Sequence, residues 1–141
     1  MFYSEKVKIA CNILFNAHKN DMDKGGYPYV FHPFYLAMQM NDEDSTIVAL
    51  LHDVIEDHGD KYSFETFKSL GFNDNVINAL KLLTYDENNS YLDYIAKINN
   101  NLIAKKVKIA DLKHNLDLKR TDGNKPDKYA LYLEALNYLE K

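Results

Sequence analysis

Apolar residues recur at every third or fourth position along nearly all of this chain, a period that helices satisfy and strands do not. From Glu5 to Ala17, the residues Val7, Ile9, Ala10, Ile13, Leu14 and Ala17 mark one apolar face. Asp21 to Pro28 then supplies a turn-rich loop punctuated by Gly25-Gly26. A short helix follows that carries His32 near its start and is expected to bury Phe34, Ala37 and Met38. Asp42-Glu43-Asp44-Ser45 offers a cap and first-turn negative charge to one helix through Ile47–Ile55, which Gly59 ends. Ser63 caps Phe64 to Leu70, closed by Gly71; Asn73 or Asp74 caps Val76 to Leu83; Ser90 caps Tyr91 to Ile98. Leu102 to Leu118 reads as a longer helix, and Pro126 suits the first turn of a last one ending near Tyr138. No Val-rich alternation between hairpin turns provides a sheet. The expectation is a single all-α domain of about eight helices.

Composition narrows the function classes. A chain of 141 residues with 46% hydrophobic and 13% aromatic residues can bury a core unaided. Its net charge of -4 opposes nonspecific nucleic-acid binding, which needs a positive surface. Lys105, Lys106, Lys108, Lys113, Lys119 and Arg120 nonetheless gather in one stretch, leaving room for a small polyanion. Cys11 is the only cysteine, so neither an intrachain disulfide nor a cysteine-rich zinc site can form. No run of about 18 apolar residues provides a membrane span, and no secretory leader is legible. A cytoplasmic protein is expected. The Tyr-rich C-terminal helix (Tyr129, Tyr132, Tyr138) packs either internally or against a second copy, so a homo-oligomer stays open.

The chemistry lies in polar residues that a core should not contain. In Ile47-Val48-Ala49-Leu50-Leu51-His52-Asp53-Val54-Ile55-Glu56-Asp57-His58, an almost wholly apolar helix is interrupted by His52, Asp53, Glu56 and Asp57. On a continuous helix these four fall on one arc of roughly 140°. Carboxylates on a partly buried arc repel one another and lose hydration unless something positive compensates, and a divalent metal would do so. His32, in an aromatic setting, and Asp111, inside Val107-Lys108-Ile109-Ala110-Asp111-Leu112, offer further ligands; Asn115 lies one turn beyond Asp111. Two imidazoles and two carboxylates suit Mn²⁺, Fe²⁺ or Zn²⁺ and leave positions for water or substrate oxygen. Glu56 and Asp57 would then position or deprotonate the water.

The ordered set His32, His52-Asp53, Asp111 resembles the signature of HD-domain metal-dependent phosphohydrolases. The flanking text is similar to the hydrolase domain of RelA/SpoT-type alarmone enzymes, in register from about Ala17 to Asn115. It includes Gly26-Tyr27-Pro28-Tyr29-Val30-Phe31-His32-Pro33, Leu50-Leu51-His52-Asp53-Val54-Ile55-Glu56-Asp57 and Val107-Lys108-Ile109-Ala110-Asp111-Leu112-Lys113-His114-Asn115. The resemblance implies residues 1–141 as one HD-domain bundle, of the standalone type without a synthetase domain. It also implies Mn²⁺ held by His32, His52, Asp53 and Asp111, and hydrolysis of the 3′-pyrophosphate of (p)ppGpp to GDP or GTP and pyrophosphate. Glu56 and Asp57 match the acidic pair that handles the water, and Asn115 matches a residue at the ribose-phosphate end.

Three positions depart from the pattern. Asp23-Lys24 stands where the family usually has Arg-Lys, Asp117 where it usually has arginine, and His58 where it usually has threonine. Each anion introduced beside a phosphate costs on the order of 1 kcal/mol or more. Lys24, Lys105, Lys108, Lys113 and Arg120 are the candidate phosphate contacts, and Tyr129 is the candidate for stacking on a base or ribose. His18 and His114 read as supporting residues. Two alternatives stay open: a phosphohydrolase of another nucleotide or phosphate ester, and a nucleotide-binding module without turnover.

Overall fold

The computed structural model describes residues 1–141 and contains nine α-helices: α1 (Glu5–His18), α2 (Phe31–Met38), α3 (Glu43–Leu51), α4 (Val54–His58), α5 (Phe64–Ser69), α6 (Asp74–Leu83), α7 (Tyr91–Ile98), α8 (Leu102–Asn115) and α9 (Tyr129–Leu139). A 3-10 turn spans Leu118–Thr121. There is no sheet; only an isolated antiparallel bridge between Met22 and Pro28 closes the loop between α1 and α2. The all-α expectation is borne out.

Asp42, Ser63 and Asn73 cap helices as expected, whereas Ser90 makes no side-chain cap bond to α7. Ser4, Asp42, Ser63, Asn73 and Asn101 each accept a hydrogen bond from a first-turn amide of α1, α3, α5, α6 and α8. Gly71 closes α5 at a φ of 94°, a backbone state that costs glycine nothing. The centre of the bundle is α3, in which every residue from Ser45 to Leu51 is buried. It packs against α1, α2, α6 and α8, while α8 adds contacts to α2, α7 and α9. The site residues therefore come from the C-terminal end of α3, from α8 and from α2 beside them.

Four local expectations are corrected. The helix through Ile47–Ile55 breaks at His52–Asp53, which is why there are nine helices and not eight; Asp53 takes φ −110°, ψ 0°, between two helical segments. Met38 is exposed, because α2 turns His32, Pro33, Leu36 and Ala37 inward and Met38 falls on the other side. The long helix stops at Asn115, since Asp117 starts the 3-10 turn by accepting from Lys119 N. Pro126 lies in the turn before α9, its carbonyl accepting from Tyr129 N at 3.0 Å.

A candidate metal centre and the cleft beside it

Three helical segments deliver the polar residues to one point. His32 comes from the first turn of α2, His52 and Asp53 from the break between α3 and α4, and Asp111 from the last turn of α8. His32, His52 and Asp111 are buried, and Asp53 is partly so. The donor atoms of His32, His52 and Asp53 lie within 4.8 Å of one another. Asp111 Oδ1 joins them at 2.7 Å from His32 Nε2 and 3.6 Å from His52 Nε2.

The tautomer of His52 tests whether a metal fits. Its Nδ1 lies 2.7 Å from the carbonyl of Ala49, which can only accept, so Nδ1 carries a proton. A neutral ring then directs a bare Nε2 toward Asp53 Oδ2, 3.2 Å away, and Asp111 Oδ1, without hydrogen-bond alignment to either. A lone pair facing two carboxylates demands a positive charge between them. Burial disfavours a charged ring here, yet Asp53 and then Asp111 raise the pKa of His52 well above the ordinary value. A divalent cation meets the same demand, and two imidazole nitrogens with two carboxylates are donors that Mn²⁺, Fe²⁺ and Zn²⁺ accept.

The surrounding groups hold these donors in place. His32 Nδ1 is 2.7 Å from His114 Nδ1, the two rings stack almost parallel at 4.9 Å, and Tyr35 stacks on His114 at 4.3 Å. Burial, then Arg120 and His32, lower the pKa of His114 to about 4, so it supports His32 as a neutral ring. Tyr29 donates its hydroxyl to Asp53 Oδ2. Asp111 accepts from Asn115 Nδ2 at 3.1 Å and from Lys108 Nζ at 2.9 Å. Burial opposes its charge, but Lys108 and then His32 hold its pKa well below the carboxylate range.

Two cavities meet beside the donors, at Asn115 and Tyr132. The inner one, about 160 Å³, is lined by His52, Asp53, Glu56, Lys108, Asp111 and the ring of Tyr94 among others. The outer one, about 240 Å³, is lined by Asp23, Lys24, Gly25, Tyr29, Asp117 and Arg120 among others. Asn115 and Tyr132 line both, so the two form one cleft. Glu56 sits at the rim of the inner cavity and accepts from Tyr85 N at 2.7 Å. Asp57, one residue on, lies outside both cavities on the side facing Asp21. Poor hydration at this rim raises both carboxyls, Asp57 to about 6 with help from Asp53 and Glu56.

The basic stretch of the sequence disperses in space. Lys108 and Arg120 line the cleft, whereas Lys113 pairs with Glu140 and Lys106 with Asp42. Lys105 lines neither cavity, because it sits about 9 Å along α8 from Asp111 at 1.5 Å per residue. Tyr129 is likewise displaced: α9 starts three residues after Pro126, placing Tyr132 over the cleft and Tyr129 under the Lys125 ammonium. Lys24 does reach the outer cavity. Sequence reasoning missed Tyr132 and the anchoring role of Tyr29; the Tyr-rich helix was the available signal for the first.

No family model matches the chain. A search of solved structures finds similarity to one described as "A metazoan ortholog of SpoT hydrolyzes ppGpp and plays a role in starvation responses". The match has a TM-score of 0.75 at 24% identity and covers 99% of this chain and 87% of that one. The expected resemblance to RelA/SpoT-type hydrolases is thus met at the level of fold, over almost the full length.

Proposed function

We propose that this chain is a divalent-metal-dependent phosphohydrolase that removes the 3′-pyrophosphate of (p)ppGpp, giving GDP or GTP and pyrophosphate. The observation that carries the reading is the buried, unpartnered Nε2 of His52 facing Asp53 and Asp111, with His32 completing the donor set. The similar fold of a protein described as hydrolysing ppGpp supports it. His32, His52, Asp53 and Asp111 would hold the ion, and Mn²⁺ is the assignment we favour. Such an ion supplies a water of lowered pKa and polarises a phosphoryl oxygen. Glu56, on the rim of the inner cavity, takes the proton from the attacking water, and Asp57 keeps its side of the rim acidic. The water oxygen bonds to phosphorus, the bond from phosphorus to the ribose 3′-oxygen breaks, and that oxygen is protonated as it leaves. Asn115, shared by both cavities, holds the ribose-phosphate end, and Lys24 and Arg120 meet the remaining phosphates in the outer cavity. Lys108 acts through Asp111.

A second reading, a phosphohydrolase of a different nucleotide or phosphate ester, is favoured by one observation: Asp23 and Asp117 both line the outer cavity. No helix is long and apolar enough to cross a membrane, and we infer a cytoplasmic enzyme of one domain acting on a small molecule. The deciding measurement is pyrophosphate release from ppGpp with Mn²⁺. Release abolished by EDTA and by Asp53→Ala supports the first reading. No release from a protein that still binds Mn²⁺ moves the assignment to the second, and a nucleotide panel follows.

A further inference from the structure

At the far end of α4, five residues on from Asp53, a second convergence of donors has no part in the reaction above. His18 ends α1, Asp21 follows it in the loop, and His58 ends α4. Asp21 Oδ2 receives both rings, His18 through Nδ1 at 2.8 Å and His58 through Nε2 at 2.6 Å. The three donor atoms lie within 4.8 Å of one another, and the rings meet edge to face at 5.0 Å. His18 is only 1% exposed, while His58 and Asp21 keep a solvent edge of 22% and 33%. The other nitrogen of His18 finds no hydrogen-bond partner, so its ring is oriented from the Asp21 side alone.

We propose that His18, Asp21 and His58 form a second divalent-cation site, of the class that takes Zn²⁺ or a first-row neighbour. Two imidazole nitrogens and one carboxylate oxygen make a three-ligand set, and the exposed edge admits water to the remaining position. Around a tetrahedral ion with bonds of about 2.0–2.1 Å the donors stand about 3.3 Å apart, so the hydrogen-bonded cluster opens by roughly half an ångström to admit one. Binding displaces the protons now shared with Asp21, and His18, whose ring centre lies 4.7 Å from that of Tyr29, then carries its proton on Nε2. Burial, the largest influence on His18, lowers its pKa and keeps the ring in the neutral, ligating form. Asp53 acts on His18 only at a distance, and Asp57 faces His58 and Asp21 from α4.

The site is positioned to fasten the loop of residues 19–30. Asp21 already ties both loop ends, its amide to the carbonyl of His18 at 3.0 Å and its carbonyl to the amide of Tyr29 at 2.9 Å. An ion here clamps that loop to α4, with Lys24 at its tip and Tyr29 reaching Asp53 at its base. No donor is shared with the first site, so the proposal stands independently of the reaction assigned there.

The test is metal stoichiometry of the full chain, by equilibrium dialysis against Zn²⁺ and by visible absorption of bound Co²⁺. Wild type should bind two ions, His58→Gln one and Asp53→Asn one, with different Co²⁺ spectra in the two variants. Asp21→Asn serves as a second probe should His58→Gln fold poorly. Two ions retained by both His58→Gln and Asp21→Asn, or one ion in wild type that neither variant removes, overturns the site. A single wild-type ion that His58→Gln removes and Asp53→Asn retains upholds it and overturns the first site instead.

Discussion

Lys108 is a lysine placed where water barely reaches, with 12% of its side chain exposed, 2.9 Å from Asp111 Oδ2 and over the rings of Tyr91 and Tyr94. Replacing it by methionine keeps most of the volume and removes the charge. At that distance and an effective dielectric of about 20, the gross attraction is about 6 kcal/mol, most of it offset by the lost hydration of both ions. What remains after truncation is a buried carboxylate beside Asp53 that has lost its one fixed cation, for which about 3–5 kcal/mol is the usual cost. In a chain of this size that lowers Tm by about 10–20 °C. The assay is urea unfolding followed by helical circular dichroism, run in EDTA and again in Mn²⁺. The full loss is expected in EDTA, and the gap between variant and wild type should shrink in Mn²⁺, because an ion at Asp111 supplies the missing charge. A variant within about 1 kcal/mol of wild type in EDTA, or a gap that Mn²⁺ leaves unchanged, refutes the reasoning.

Turnover should rise with pH through an acid limb set by Glu56, whose carboxyl burial raises and which must be deprotonated to accept a proton; an ion at Asp53 moves the limb downward, and a pH–rate profile locates it. The His18 contribution to folding stability should be lost as pH drops below about 6.5, where unfolded histidine takes up a proton that folded His18, lowered chiefly by burial, resists; it is read as the difference from His18→Gln. Asp21, lowered chiefly by its bond from His58, adds a further loss below about pH 4; thermal melts from pH 8 to 4 read both. Tyr29→Phe removes the hydroxyl that orients Asp53 and should weaken Mn²⁺ about 10–100-fold, measured by titration calorimetry, with little change in Tm at saturating metal. Gly25→Ala places a Cβ 2.3 Å from the Arg120 carbonyl, forcing the two walls of the outer cavity apart. It should cost about 1–3 kcal/mol and raise KM more than it lowers kcat.

Helix positions were legible because caps and period are local properties, and α3, α5 and α6 begin on the side-chain caps read from the sequence, though the cap expected at Ser90 does not form. The donor set was legible for a different reason: His52, Asp53 and Asp111 are polar residues inside apolar runs, and such residues need a partner wherever the chain folds. Periodicity could not reveal the break at His52–Asp53, because apolar residues continue on both sides of it. Nor could it reveal which tyrosine covers the cleft, since a three-residue change in where α9 starts exchanges Tyr129 for Tyr132. The pairing of Asp23 with Arg120 joins residues 97 positions apart, and no local pattern encodes it.

The break between α3 and α4 divides the molecule by local stability. Residues 45–51 are sealed on every side, so their amides should open to solvent only when the whole domain unfolds. The five residues of α4 are too few to form a helix alone, and they carry Glu56, Asp57 and His58 on a segment buried only at Val54. Such a segment opens on its own unless it is pinned, and its pins are the donors at Asp53, the bond from Tyr85 N to Glu56 and the link from His58 to Asp21. Amide exchange across 54–58 is therefore a direct readout of cation occupancy: fast in the apo chain, and slowed as ions bind at either end of one short helix.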